Sequence, residues 1–599
     1  MPPKPGAGKG FMKSPADIAE NRSGKRHTRS HVVTASARRE REDQILMGDA
    51  QRAQPEEMAD AVEMDGDDSM PPQSSSSVRV PTKTIPRGPG GRFASTAGSS
   101  SGSSKRSRSD VEDDWIVKSP VPGGPSDGLM IPSFLGHIAT AIWSGQDRGL
   151  LRCQTRSLYC GKLCVWYGGA SQQIQKRIES TGLSYLPNIM YGHIDAPLIA
   201  AFVERWQPDT SSFHMPFGEM SIMLHDVWQI LRIPIDGAMV TADASVEELQ
   251  SCVMELFGMT REELQKGHYF NGGIRAASVL DYCQGDRIAD AQATAWTFLM
   301  LGCTLFVDKS GDRIRPSCLL EVQDSVSGAI GLSWGSSALT YLYRHLGIAS
   351  RGDCRQIMGC LTLLQAWIYE YFPCFRPQRE GVTLDSAMPR ACMWPSIPLE
   401  KSGDRLKSYR VRLDRLTADE VMWMSYGPDV ITHTPRTIYA GWIRYRDVIE
   451  PYMPGRCMRQ LGYVQNIPRP ILRPLKSVHP WSSLKYRVEV PVDMAEDLWT
   501  SFPKACMLIL SRFTLARTPS ECEEQYMPWY CLHSHPQLLP DMPAPGPVIH
   551  TRSNNEVWVS HWVNWGEGAL DAMNLLDEDV AAEWRHSYDQ ILDAWNSAK

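Results

Sequence analysis

Residues 195–237, DAPLIAAFVERWQPDTSSFHMPFGEMSIMLHDVWQILRIPIDG, decide the fold class. Asp195 is placed to cap a helix, Pro197 suits its first turn, and Leu198, Ile199, Phe202, Val203 and Trp206 recur at the three-to-four spacing of one helical face. That face must be buried. Gln207-Pro208-Asp209-Thr210-Ser211 then carries turn chemistry, and Phe213, Met215 and Phe217 alternate with His214 and Pro216 as in a short strand. A second amphipathic helix is predicted from about Leu224, with Asp226 in the first turn, where the helix dipole favours an acid. Val227, Ile230 and Leu231 face inward, and Pro234 and Gly237 end it.

Outward from this stretch the pattern stays helical. A first ordered helix is predicted over 131–142, with others over 245–257 and 261–265, and a nearly all-apolar one over 288–307 that should be central. Ser333 is a candidate cap for a helix over 334–346. Ile357, Cys360, Leu361, Leu364, Trp367, Ile368 and Tyr371 form an inward stripe that Pro373 ends. Thr417 and Glu420 make a capping box for a short helix through Trp423, and Gly462 is placed to stop another. Beyond 480 come a helix over 494–515, Tyr526-Met527-Pro528-Trp529-Tyr530, a proline-rich linker over 536–547 and a last helix over 581–598. There is no internal repeat.

Composition bounds the rest. The 599 residues, 42% hydrophobic, suffice for a large core, and a net charge of -6 argues against wholesale electrostatic binding of nucleic acid, leaving room only for a local basic surface. The 15 cysteines include no C-x-x-C pair, and the polar start Met1-Pro2-Pro3-Lys4 does not read as a secretory leader, so free thiols in a reducing compartment are expected. The longest apolar run, 295–307, falls short of the roughly 20 residues that span a bilayer. No membrane contact is expected.

Residues 1–112 are rich in Pro, Ser, Gly and charge and nearly free of aromatic residues, which predicts disorder. The charge is blocked: Lys25, Arg26, Arg29, Arg38, Arg39 and Arg41 precede the acids Glu56 to Asp68, and Lys105-Arg106-Ser107-Arg108 follows. These basic clusters fit nuclear-import signals and equally fit a solvated tail. Four segments result: a disordered, charge-blocked tail over 1–112, a helical core over 125–480, a C-terminal extension of that core over 481–540, and a linker with a terminal helix over 541–599. The expected class is mainly α, a single large helical domain with minor β hairpins and a long disordered N-terminal tail.

Several motifs carry a resemblance. Val203-Glu204-Arg205-Trp206, Phe213-His214-Met215-Pro216-Phe217-Gly218-Glu219 and Ile233-Pro234-Ile235-Asp236-Gly237 are followed in order by three more. These are Leu301-Gly302-Cys303-Thr304-Leu305-Phe306, Ser333-Trp334-Gly335-Ser336-Ser337-Ala338-Leu339 and Gly359-Cys360-Leu361-Thr362-Leu363-Leu364-Gln365-Ala366-Trp367. Arg456-Cys457-Met458-Arg459-Gln460-Leu461-Gly462-Tyr463-Val464-Gln465 comes last. Together they resemble the plant mobile domain, a module of transposon-derived plant proteins and of domesticated relatives linked to meristem maintenance. The likeness covers about 190–470 and extends more weakly to 535. It implies structural roles for Trp206, Phe213, Pro216, Gly218, Glu219, Gly237, Trp334, Gly335, Gln460 and Gly462. One departure stands out: Arg232 occupies the place of a usual glycine, which bears on a left-handed helix end there.

Candidate chemistry is thin. Gly331-Leu332-Ser333-Trp334-Gly335 fits the G-x-S-x-G elbow of α/β-hydrolases, yet residues 324–330 are no buried strand, and capping explains Ser333 more simply. Cys153, Cys160 and Cys164 match no common zinc spacing, and neither do Cys522, Cys531, His533 and His535. Residues 224–231 with the turn after them mimic half of a helix-turn-helix, but Pro234, Gly237, Val240 and Thr241 make a poor recognition helix. Some relatives are named after a serine/threonine phosphatase. Gly285-Asp286-Arg287, Gly311-Asp312-Arg313 and Gly352-Asp353-Cys354 lack the continuations of its metal-binding motifs. The family is also called aminotransferase-like, and around Lys309 and Ser310-Gly311 no pyridoxal-phosphate site assembles. The interval 436–487 interleaves basic and aromatic residues, which makes Arg444, Arg446, Arg456, Arg459, Arg469 and Arg473 candidates for nucleic-acid contact; snorkelling arginines fit the same pattern.

No catalytic, cofactor or metal residue is assigned. The expectation is a non-catalytic, transposon-derived nuclear protein whose partners are nuclear proteins or chromatin, with nucleic acid as a further partner class. An enzyme with an unrecognised pocket, hydrolase or pyridoxal-phosphate transferase, is the alternative. The sequence does not set the oligomeric state.

Overall fold

The computed structural model describes residues 124–125, 131–241, 245–258, 260–264, 269–270, 273–322, 326–378, 388–469, 476–478, 487–489, 498–502, 508, 510–542 and 551–552. The tail expected over 1–112 and the helix expected over 581–598 lie outside them.

The elements that matter begin with helix α1 (Ser157–Gly169) and helix α2 (Ala196–Val203). Strands β1 (Trp206–Gln207), β2 (Ser212–Met215) and β3 (Gly218–Met220) then form a three-stranded antiparallel sheet, and helix α3 (Leu224–Leu231) follows. Further on come helices α4 (Ala289–Thr304), α5 (Trp334–Ala349), α6 (Leu361–Tyr371) and α7 (Gly403–Arg415). A hairpin of β4 (Gly441–Tyr445) and β5 (Val448–Tyr452) and helix α8 (Tyr526–His533) complete the set. Among the described residues helices dominate, and strands occur only in sheets of two or three.

One apolar cluster takes residues from Leu151 to Trp499. At its centre every residue of α2 and of α6 is buried, as is α4 from Ala293 onward. Phe202, Phe213, Trp367 and Phe372 interlock there with ring centroids 5.1–6.3 Å apart, mostly edge to face. A helix without a polar face has no stable place at the surface, which is why the all-apolar stretch over 288–307 ends up central.

The organising stretch folds nearly as its pattern predicts, with corrections. Asp195 caps α2 by accepting from Leu198 N at 3.3 Å, but α2 is buried all round and so not amphipathic. Trp206 is no part of that helix. It sits in β1 opposite Phe213, because Glu204 already leaves the helix. Asp226 caps α3 by accepting from Met223 N at 2.6 Å. Arg232 takes the left-handed conformation itself, at φ 53°, so the missing glycine does not prevent that helix end.

Elsewhere Ser245 and Glu248 form a capping box on the helix Val246–Phe257, and Gly462 stops a 3-10 turn at φ 83°. Ile357 and Cys360 fall outside α6, Ile357 pairing with Cys153 in a small parallel ladder. The first helix is shorter than expected, a 3-10 turn Pro132–Gly136 followed by Ile138–Trp143. Thr417 and Glu420 do form a capping box, on a 3-10 turn Ala418–Glu420. The helix expected over 494–515 is not continuous where described: residues 498–500 are helical, 501–502 turn, and a 3-10 turn follows at Leu510–Arg512. The proline-rich linker is not loose at its start: Leu538 is fully buried, and its amide donates to Asp414 at 3.1 Å.

Candidate functional site: a sealed polar core

The antiparallel sheet carries an unusual load of charge for a buried layer. Glu219 on β3 meets Arg456 in a two-pronged pair, Nε to Oε2 and Nη2 to Oε1 each at 2.6 Å. Ser212 Oγ lies 2.7 Å from Glu219 Oε2 and 2.8 Å from Thr210 Oγ1, and Thr210 Oγ1 lies 3.1 Å from His214 Nε2. A continuous polar chain thus runs from Arg456 to His214, all of it buried.

A second pair pins the chain's later portion. Arg205 is bonded through Nη2 to Asp414 on α7, and its Nη1 donates to His214 O at 3.1 Å and Pro536 O at 3.0 Å. Asp414 also accepts from Leu539 N at 2.9 Å. Next to it Glu204 holds Arg410 with two contacts of 2.7 Å, and Arg410 reaches on to Asp147 at 2.7 Å and 3.0 Å. Consecutive residues Glu204 and Arg205 therefore tie α2 to α7 with opposite charges.

Three imidazoles cluster between these pairs, tilted against one another. His535 lies with its ring centroid 5.1 Å from both His137 and His214. Its Nε2 is bonded to the Gln207 amide, while His137 Nε2 meets Trp206 O at 2.9 Å. Burial pushes His137 down to about 3 and holds His214 and His535 well below the ordinary imidazole range, with the nearby arginines adding to the effect. All three are neutral at physiological pH.

The late motif closes the layer. Gln460 grips one residue at both ends, accepting from Ser221 N at 2.8 Å and donating to Ser221 O at 2.9 Å. Arg459 donates to Phe217 O at 2.8 Å and lies 4.2 Å over the Trp423 ring. From α8, Tyr526 OH accepts from Glu219 N at 3.2 Å and Tyr530 OH donates to Met215 O at 2.9 Å. Gly218, at φ 126°, leaves space only because it has no side chain: a Cβ would stand 2.2 Å from Arg459 Nη2. Gly335 lets α5 start against residues 234–235, donating to Pro234 O at 2.7 Å.

A family model, plant mobile domain, matches residues 182–531, which takes in every one of these contacts except those from His137 and Asp147 and those at residues 535–539. The chain belongs to the plant mobile domain family. Protein MAIN-LIKE 1 of Arabidopsis thaliana is 30% identical over 58% of this chain and 69% of its own length. Protein MAINTENANCE OF MERISTEMS of the same plant is 31% identical over 55% of the chain and 70% of its length. A third relative there, a serine/threonine-protein phosphatase 7 long form homolog, is 30% identical over 49% of the chain, which spans only 24% of that relative. No solved structure matches.

In this plant mobile domain the family motifs meet in space. Trp206, Phe213, Glu219 and Gln460 line one sealed layer, with Pro216 and Gly218 in its turn, while Trp334, Gly335 and Gly237 join α5 to the end of α3. Four of the six arginines proposed for nucleic acid do not present themselves to a ligand. Arg444, Arg446, Arg456 and Arg459 are buried, and Arg446 ties the hairpin tip to Glu321 at 2.5 Å. Arg469 is exposed, and Arg473 lies outside the described residues. For the four buried arginines the interleaved pattern reads as core packing, because each guanidinium meets a carboxylate, a carbonyl or a ring.

The remaining chemistry also resolves into structure. Ser333 is buried and donates to Ile235 O at 2.8 Å, so its hydroxyl neither caps α5 nor faces an attacking position. Cys522 is a strand residue, Cys531 is exposed, His533 Nδ1 contacts its own helix at Trp529 O, and His535 is taken by Gln207. Lys309 is exposed beside Asp308, whose carboxylate is held by Arg156 and Arg315. Beside His137 a cavity of about 20 Å³, enough for one water, is lined by Arg344 and Glu450 among others. Burial raises the Glu450 carboxyl to about 7, with Arg344 3.9 Å away. An open groove of about 250 Å³ runs along α7 over Val411, Arg412, Arg415 and Leu416.

Sequence reasoning missed Asp414 and Arg410, and weighed His535 only as a zinc ligand. The stretch 403–415, GDRLKSYRVRLDR, is charged along its length, and only the spacing of Leu406, Arg410 and Leu413 hints that one arginine shares the buried face.

Proposed function

We propose that this protein is a non-catalytic, transposon-derived nuclear protein, acting in transposon biology or in silencing and genome maintenance through contacts with nuclear proteins or chromatin. The observation that supports this reading is the fate of the motif side chains. Glu204, Arg205, Glu219, Arg456, Arg459 and Gln460 are engaged with one another and with backbone inside the core, so the polar groups of the motifs build a scaffold. A scaffold of that kind works through its outer surfaces, and the basic clusters of the 1–112 tail supply the nuclear address.

The test is capture of partners from plant nuclei with the full chain as bait, alongside labelling with a fluorophosphonate and an absorption scan for bound pyridoxal phosphate. Specific nuclear proteins or chromatin fragments in the eluate, with no label on Ser333 and no cofactor band, are expected. A labelled serine, or a cofactor that co-purifies, would move the protein to the enzyme class.

A further inference from the structure

Helix α1 is apolar on its outward face as well as its inward one. Its inward face packs Cys160 and Leu163 onto the core, with Trp296 Nε1 donating to Leu163 O at 3.3 Å. Its outward face carries Leu158, Gly161, Lys162, Val165, Gly168 and Gly169, at the three-to-four spacing of one helical stripe. Leu158 is 72% exposed and Val165 80%. The three glycines have open space where a Cβ would go, although a glycine inside a helix costs about 1 kcal/mol relative to alanine. Packing within the described residues does not account for them. Glycines beside protruding aliphatics are what a helix needs when a second helix with bulky side chains lies close against it.

The same chain holds a segment of complementary pattern. Trp584, Tyr588, Ile591, Leu592 and Trp595 recur at helical spacing in the stretch 581–598, which also carries Glu583, Asp589 and Asp593 against Arg585. From Leu158 to Gly169, and from Trp584 to Trp595, a helix advances about 16 Å, so the two stripes match in length. Charge fits as well, because Lys162 is the one charged residue of α1 and the segment is net acidic. The chain reaches Thr551–Arg552 paired beside Cys522–Glu523, and residues 553–580 span up to about 90 Å when extended. A body of about 400 residues is roughly 55 Å across, so the segment can reach α1. We propose that the outward face of α1 is a docking surface for residues 581–598 of the same chain, with the aromatic rings seated over Gly161, Gly168 and Gly169. This is independent of the scaffold reading above.

Hydrogen exchange on the full-length chain tests it. Amides of 581–598 are expected to exchange at least tenfold more slowly than those of 553–580, and to lose that protection in Val165→Asp and in Leu158→Asp. Trp584→Ala with Trp595→Ala should in turn raise exchange in 157–169. Because 158 and 165 are exposed, neither change should shift the thermal midpoint of the core, which separates undocking from misfolding. A photo-crosslinker at 165 should join 581–598 within one chain. Equal exchange in the wild type and both aspartate variants, crosslinks that form only between copies, or crosslinks that map elsewhere would overturn it.

Discussion

Arg456 and Glu219 face each other fork to fork with both contacts at 2.6 Å, and neither side chain reaches solvent. Removing one partner strands a charge in the core, so Arg456→Ala is expected to lower unfolding free energy by about 3–5 kcal/mol. Replacing both partners by apolar residues of similar volume, Arg456→Met with Glu219→Leu, should cost less than the sum of the single changes. Urea unfolding of the four chains closes this cycle. Any affinity for nucleic acid should be unchanged in folded Arg456→Ala.

Acid should unfold this protein early. His137, His225 and His345 are each pushed to about 3 by burial, and His214 and His535 lie well below their ordinary value. Folded chains keep these five neutral while unfolded chains protonate them below about 6.5, so this stability is present above 6.5 and is lost as pH falls towards 3. Asp226 and Glu450 work the other way. Burial raises both to about 7, so their share is present below about 4 and lost as pH rises to 7. The net proton uptake on unfolding rises from about one at pH 6.5 to about three near pH 5, a slope that grows from roughly 1 to roughly 4 kcal/mol per pH unit. Thermal midpoints measured from pH 7.5 to 5 should fall steeply, and a flat profile would contradict the buried neutral state.

Arg232 holds a left-handed backbone that glycine adopts freely. Arg232→Gly should leave stability unchanged or raise it by up to about 1 kcal/mol, since the relief of strain competes with loss of the stack on Trp228. Arg232→Val should lower it by about 1–2 kcal/mol. Chemical denaturation of both variants gives the order.

Gly218 tolerates nothing larger. With φ at 126° and Arg459 Nη2 and Tyr526 OH within 2.2 Å and 2.8 Å of the missing Cβ, Gly218→Ala is expected to cost about 2–4 kcal/mol. Gly161→Ala on α1 meets nothing, and comparing the two melting temperatures separates a packing glycine from an open one.

Local signals were legible where backbone chemistry sets them. Asp195 and Thr417 cap as their side chains predict, and periodicity placed α3 and the buried α4. Long-range polar pairing was not legible. Arg205 and Asp414 lie 209 positions apart, and each alone looks like a surface charge; only the fold brings them together. For the same reason the pattern left Arg444, Arg446, Arg456 and Arg459 open between nucleic-acid contact and packing, since composition reveals a basic and aromatic mixture but not which way it faces. Trp206 was read as helical because the three-to-four period continues one step past the residue where the backbone turns into β1.

The most direct measurement is the pH titration of the His214 and His535 rings by NMR in the full chain with labelled histidine. Sealed among Arg205, Gln207 and Thr210, both rings are predicted to keep the shifts of neutral imidazole from pH 8 down to the onset of unfolding. A titration of either ring in the folded chain with a midpoint near 6.5 would show that water reaches the motif core, and the scaffold account would fail.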